Sequence, residues 1–291
     1  MDTTTLGSRE YEFSDFSIEP LEIYEDPSGI LRGGVGSTIW DAAIVLAKYL
    51  ERSPLIPSST STATVPPPFR VLELGAGTGI VGLAVARLMQ SRKIPGQVVL
   101  TDKENVLPLL QKNVDKNPCP DVQLTAEELD WVAVSGIPAR LDPEDSTEGE
   151  QGETKEEADP QLLKPTADSN LPLPTENATK SDMPSSSTAS SAAEATSASK
   201  LLNVAWDMVL LSDCIWISGL YEPLLGTLNL ILPVGSKGQL VIAFEKRKFN
   251  EEMEFFASLG KTFRFRDIKP EEQDPTWQSE DIYLFVCQRR S

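Results

Sequence analysis

Histidine is missing altogether from this 291-residue chain. Its absence excludes an imidazole base, and with it Ser-His-Asp and Cys-His hydrolysis, and it removes a common zinc ligand. Cysteine is nearly as scarce. Cys119, Cys214 and Cys287 stand far apart without C-x-x-C spacing, so neither a disulfide framework nor a zinc site is supported and no metal is expected. Positive charge is in deficit: 26 Lys and Arg against 44 Asp and Glu leave a net charge of -18. Neutralising a phosphate backbone requires the opposite, so nucleic acid is not an expected partner. No apolar run approaches the roughly 20 residues that span a bilayer. Met1-Asp2-Thr3-Thr4-Thr5 lacks the basic and apolar regions of a secretory signal. The expectation is a soluble monomer of the cytoplasm or nucleus, without membrane contact.

What is present begins with a hydrophobic content of 40%, enough for a real core. Between about 141 and 200 the composition changes: an acidic block gives way to Ser, Thr, Ala and Pro with few core-forming side chains. This stretch carries 13 acidic and 4 basic residues, hence half of the net charge, and reads as a disordered insert. A shorter Ser/Thr/Pro-rich linker runs from Ser53 to Pro68. With the insert set aside, strands at 70–74, 97–102, 122–129, 207–212, 238–244, 263–268 and 281–287 alternate with helices at 79–90, 104–116, 219–231 and 249–259. That alternation predicts one α/β domain, a doubly wound Rossmann-like sheet of seven strands with helices on both faces. It spans 38–291. Residues 1–37 form an N-terminal extension with one or two short strands between Tyr11 and Tyr24, and Trp40 to Glu51 forms an apolar-faced helix.

The most informative segment is Phe69-Arg70-Val71-Leu72-Glu73-Leu74-Gly75-Ala76-Gly77-Thr78-Gly79, a buried strand breaking into alternating glycines, followed by an apolar helix. Strand, glycine turn and helix together make a small-molecule cofactor site, with helix N–H groups turned toward the ligand. Gly75, Gly77 and Gly79 permit positive φ and let the backbone approach a bound molecule. Glu73 would be costly inside the strand unless it met a ligand or backbone donors. Gly77-Thr78-Gly79-Ile80-Val81-Gly82 also satisfies the dinucleotide pattern G-x-G-x-x-G, but two residues late, since Gly75 already ends the strand. A nucleoside-sulfonium cofactor is therefore favoured over NAD.

Ligands in such sheets sit beyond the carboxyl ends of the strands, where strand order reverses. Glu73, Asp102, Asp130 and Asp213 all stand at or just past strand ends, which predicts four acids converging on that crevice. Asp102 can accept from both hydroxyls of a ribose or cap the helix that follows. Trp131 can lie against an adenine or pack in the core, and Trp40 can cover the cofactor or merely pack its own helix. Asp213 and Trp216 follow a buried strand at a place for substrate. Trp216 can attract an alkylammonium through its π face while Asp213 orients the amine or the cofactor; the alternative is helix capping and core packing. In a methyl transfer the sulfonium carries the activation, and an ammonium beside it in a desolvated channel is pushed toward its neutral, nucleophilic form, so no strong base is obligatory.

The blocks Thr38-Ile39-Trp40-Asp41-Ala42-Ala43-Ile44-Val45-Leu46-Ala47-Lys48-Tyr49-Leu50-Glu51, Glu73 to Gly79, Leu129-Asp130-Trp131 and Ser212-Asp213-Cys214-Ile215 appear in order. In them the chain resembles the class I, seven-β-strand S-adenosylmethionine-dependent methyltransferases, specifically the family-16 protein lysine methyltransferases. Tyr221-Glu222-Pro223-Leu224-Leu225 and Gln278-Ser279-Glu280-Asp281-Ile282 extend the likeness to the branch acting on valosin-containing AAA-type ATPases. The resemblance implies S-adenosyl-L-methionine as cofactor, held by Trp40, Glu73, Gly75, Gly77, Gly79, Asp102, Trp131 and Ser212. It implies catalytic positions at Asp213 and Trp216, and a protein lysine as substrate. One position departs: the family's acid-x-x-Tyr motif ends here in Trp216, so a phenolic hydroxyl is missing. Two other readings stay open, a methyltransferase for a small molecule or another residue, and a cofactor-binding scaffold with weakened catalysis.

Overall fold

The protein is described by a computed structural model over residues 6–57, 67–140 and 199–291. The predicted insert, except for its last two residues, and most of the Ser53 to Pro68 linker lie outside the described residues. After a hairpin of β1 (Gly7–Tyr11) and β2 (Leu21–Glu25), the chain forms α1 (Asp41–Arg52) and then β3 (Phe69–Leu74). It continues through α2 (Ile80–Ser91), β4 (Gly96–Asp102), α3 (Leu107–Lys116), β5 (Val122–Glu128), a short α4 (Trp131–Ser135) and β6 (Met208–Ser212). Then come α5 (Tyr221–Ile231), β7 (Gln239–Glu245), α6 (Phe249–Thr262), β8 (Phe263–Asp267) and β9 (Ile282–Arg289). The seven strands of the main sheet lie in the order β5-β4-β3-β6-β7-β9-β8. β9 enters antiparallel between β7 and β8, and the first five strands run parallel. The doubly wound seven-stranded sheet expected from the alternation is therefore observed.

Strand order reverses between β3 and β6, and everything that matters for a ligand gathers at the carboxyl end of that pair. Side-chain alternation builds the two cores. Val71, Val98, Leu100, Leu210 and Val241 face a layer of α1, α2, α3 and the β1–β2 hairpin. Leu72, Leu74, Val99, Leu211 and Ile242 face α5 and α6. Because successive strand residues point to opposite faces, Glu73 falls on the same side as Val71, directly under α2. α3 begins at Leu107, after a turn, three residues later than the sequence pattern predicts, with Pro108 in its first turn.

The hairpin is anchored by an unusual device. The outer edge of β2 is met not by another strand but by two asparagines one turn apart on α3. The Asn113 amide accepts from Tyr24 N at 2.7 Å and donates to Tyr24 O at 3.0 Å, while Asn117 does the same to Glu22 N at 3.1 Å and Glu22 O at 2.9 Å. Spacing i, i+4 on a helix matches i, i+2 on a strand, so two side-chain amides supply the ladder bonds that an edge strand otherwise lacks. Asn113 also donates to Thr78 O at 2.9 Å, inside the glycine turn. Asn113→Ala leaves one buried and two part-buried backbone groups without their partner, and the expected cost is about 1–3 kcal/mol, read as a lower midpoint in urea unfolding. An unchanged midpoint would show that the hairpin is held by its apolar contacts alone.

Candidate functional site

Glu73 occupies the penultimate position of β3 with only 1% of its surface exposed. Its Oε2 accepts from Gly82 N at 2.8 Å. Gly82 is the third residue of α2, and its N–H has no acceptor within the helix, so the carboxylate satisfies a helix terminus from below. A side chain at position 82 has no room: its Cβ would lie 2.6 Å from that oxygen and 2.1 Å from Leu100 Cδ2. The last glycine of the apparent dinucleotide pattern thus serves Glu73. Burial pushes the Glu73 carboxyl up to about 8, aided by the nearby charge of Asp102 and opposed by the Gly82 bond.

The turn glycines divide into two groups. Gly75 and Gly77 adopt φ of 62° and 54° and face a cavity of about 550 Å³. A Cβ on Gly75 would strike Cys214 Sγ at 2.6 Å, and one on Gly77 would press on Gly36 O at 3.0 Å. Gly79 does not line the cavity. Its missing Cβ makes room for Leu110 and Leu100, a packing requirement that holds with or without a ligand.

Asp102 closes β4 at the cavity wall. Oδ2 accepts from Gly77 N and Oδ1 from Lys103 N, each at 2.8 Å. Burial raises its pKa, and these two bonds oppose the rise. It does not cap α3, whose N-cap is Val106. Each oxygen holds one donor and keeps lone-pair capacity for another. Asp130, by contrast, caps α4 by accepting from Val132 N at 2.7 Å and Ala133 N at 3.1 Å, and it is not among the cavity residues. Three acids, not four, reach the crevice.

Trp40, Trp131, Ser212, Asp213 and Trp216 all border the cavity. Trp131 and Trp216 are half-buried there, neither sealed in a core. The Ser212 hydroxyl is buried and has no hydrogen-bond partner among the described residues, an orphan polar atom in the wall of a cavity. Asp213 is less free than the sequence suggests: Arg247 grips it with two bonds, Nη1 to Oδ1 at 2.8 Å and Nη2 to Oδ2 at 2.7 Å. That carboxylate is not available to act as a free base.

Several residues in or behind the cavity wall escaped sequence reasoning. Gly33 to Gly36 form part of a tight turn whose backbone abuts Gly77, and the run Gly33-Gly34-Val35-Gly36 was the available signal. Cys214 lies against the glycine turn, donating to Leu74 O at 3.5 Å. Burial, with Asp102, Asp213 and Glu73 close by, pushes its thiol well up and keeps it protonated. Arg247 carried no motif. Among the described residues there is no His/Cys/Asp/Glu group placed to hold a metal, and no helix long and apolar enough to cross a membrane.

A family model described as lysine methyltransferase matches residues 18–139 and 188–262. The mouse protein N-lysine methyltransferase METTL21A is 38% identical over 100 residues, which are 34% of this chain and 39% of that protein. Protein-lysine N-methyltransferase EFM6 of Saccharomyces cerevisiae is 31% identical over 128 residues, 43% of this chain and 50% of its own. EEF1A lysine methyltransferase 3 of Xenopus tropicalis is 40% identical over 84 residues, 29% and 31% respectively. The chain thus spans between about a third and a half of the length of these relatives. Since the family model covers more than half of its residues and takes in β3, the glycine turn, Asp102 and Ser212, the chain belongs to the lysine methyltransferase family.

Proposed function

We propose that this chain is an S-adenosylmethionine-dependent protein-lysine N-methyltransferase. The observation that carries the choice of cofactor is the pair of buried acids around the glycine turn. Glu73 on Gly82 N and Asp102 on Gly77 N already occupy two backbone donors of the strand–turn–helix unit that an anionic pyrophosphate would use, and Asp102 sets a carboxylate at the turn. A cationic ligand with a ribose suits the same place. Asp102 would accept from the ribose hydroxyls, Trp131 would lie against the adenine, and the Ser212 hydroxyl and the Gly75 and Gly77 backbone would complete the pocket, with Trp40 at its margin. When bound, S-adenosylmethionine supplies an electrophilic methyl group on a cationic sulfonium. The chain supplies alignment and exclusion of water, and Trp216 offers a π face to the incoming lysine. Cys214, held as a neutral thiol, does not compete as a nucleophile. Asp213, tied to Arg247, shapes the wall.

Within the family we propose a valosin-containing AAA-type ATPase as the protein substrate, on the strength of Tyr221-Glu222-Pro223-Leu224-Leu225 and Gln278-Ser279-Glu280-Asp281-Ile282. The first segment opens α5 directly after the cavity residue Leu220, and the second leads into β9 beside the carboxyl end of β7. Incubating the protein with labelled cofactor and that ATPase, then mapping the labelled residue, tests the substrate. Label on another protein would redirect it, and label on a small molecule would change the substrate class.

Calorimetry tests the cofactor. S-adenosylhomocysteine should bind and NAD should not, and Asp102→Ala should weaken the bound ligand by about 1–3 kcal/mol through lost charge-assisted bonds. Binding of NAD alone would overturn the assignment.

Glu73 makes binding and stability depend on pH in opposite senses. Its carboxyl sits at about 8 when folded, against an ordinary value of 4.5, so the folded protein holds the extra proton between those limits. Stability without ligand should therefore fall as pH rises through that window, by up to about 1.4 kcal/mol per pH unit. Affinity for the cationic cofactor should rise over the same range as Glu73 ionises. Glu73→Gln should flatten both slopes; slopes that survive the substitution belong to other groups.

Trp216→Ala should lower the rate of lysine methylation while leaving affinity for S-adenosylhomocysteine nearly intact. Equal loss of ligand binding and melting temperature would instead make Trp216 a packing residue.

A further inference from the structure

Between Ser212 and Trp216 the chain turns through a conformation that its residues do not favour. Asp213 has φ of +52°, a left-handed geometry that costs a non-glycine residue on the order of 1 kcal/mol. The turn is nevertheless fixed, because the groups around Asp213 over-determine it. Its N–H donates to Ala243 O at 2.8 Å, continuing the parallel ladder beyond β6, and its Oδ1 accepts from Glu245 N at 3.2 Å. Arg247 supplies the remaining two bonds, in the planar fork geometry that only a guanidinium offers a carboxylate.

Arg247 has further contacts, to Glu245 and Trp40. Nη2 also reaches Glu245 Oε2 at 2.7 Å, and the guanidinium carbon stands 5.5 Å from the centre of the Trp40 ring. The Trp40 indole N–H in turn donates to Val35 O at 3.0 Å, inside the glycine-rich turn that presses on Gly77. One side chain thus ties the β6 turn, which carries Ser212 and Trp216, to the α1 terminus and the Gly34–Ser37 turn. Yet Arg247 is not itself a cavity residue.

We infer that Arg247 is a positioning residue, which holds Asp213 in its left-handed turn and Trp40 beside it, and so sets the shape of the cofactor cavity. This rests on the cofactor reading proposed above. The bidentate pair also removes one negative charge from the cavity, leaving Glu73 and Asp102 as the acids that face a ligand. Substitution by lysine keeps the charge but loses the fork.

The test uses the full chain and S-adenosylhomocysteine, with affinities measured by calorimetry well below the melting temperature of each variant. Arg247→Met should weaken binding roughly 5- to 20-fold, Arg247→Lys should recover part of that loss, and Asp213→Asn should resemble Arg247→Met. The Asp213→Asn/Arg247→Met double variant should be no weaker than the worse single one, because both substitutions break the same device. A fold-stabilising role alone would lower the melting temperature without moving the affinity of folded protein. Affinity of Arg247→Met within twofold of the wild type, or additive losses in the double variant, would overturn the inference. Should Arg247→Met fail to fold, Arg247→Lys and Asp213→Asn carry the comparison: both weakened supports it, both unchanged refutes it. If the wild type itself does not bind S-adenosylhomocysteine, the cofactor reading fails, a result distinct from any difference among variants.

Discussion

Glu73 places a carboxylate in the middle of a buried strand pair, and burying such a group is tolerable only if donors meet it. The donor is the Gly82 amide, 2.8 Å away at the start of α2. That single contact dictates much of the neighbourhood. α2 must lie close enough to the sheet for its third N–H to reach Glu73, and at that distance only glycine fits between Leu100 and the carboxylate. The chain must also turn sharply between Leu74 and Ile80, with positive φ at Gly75, Gly77 and Gly79. The same tight turn brings Gly77 N onto Asp102, so the two acids are set by one piece of backbone geometry.

The second wall of the cavity comes from the N-terminal segment, and its placement follows from a chain of polar contacts rather than from the main sheet. Asn113 grips both β2 and Thr78 of the glycine turn, so hairpin and turn share one anchor. Beyond β2, Glu25 accepts from Ile39 N at 2.8 Å, and Asp26 N donates to Ser37 O at 2.9 Å. These bonds curl residues 26–39 back over the cavity, where Gly36 meets Gly77. Residues 33–36 therefore belong to the site although they precede the start of the expected catalytic domain.

The sheet was legible in the sequence because its central strands β3, β4, β6 and β7 are short, mainly apolar runs, and because βαβ connections admit few topologies. Glu73 was legible for a related reason: an acid in an otherwise apolar strand demands an explanation. Gly79 and Asp130 show where a sequence leaves two physical explanations open. A glycine can be required by packing as well as by a ligand, and an acid after a strand can cap the next helix as readily as face a crevice. Arg247 was invisible because its meaning lies in two partners, Asp213 and Trp40, that are 34 and 207 positions away in the chain. Asn113 and Asn117 read as polar positions on an amphipathic helix, and nothing local distinguishes a side chain that faces water from one that pairs with a strand.

The charges around the cavity add up to a device with one adjustable member. Asp213 is neutralised by Arg247, and Asp102 is held by two backbone N–H groups. Glu73 remains, with its carboxyl pushed up to about 8, close enough to neutrality that a neighbouring charge can decide its state. Two unit charges 4 Å apart interact by about 4 kcal/mol at an effective dielectric of 20, more than enough to move such a group across neutral pH. A positive charge beside Glu73 favours its ionised form, whereas without one burial favours the protonated form.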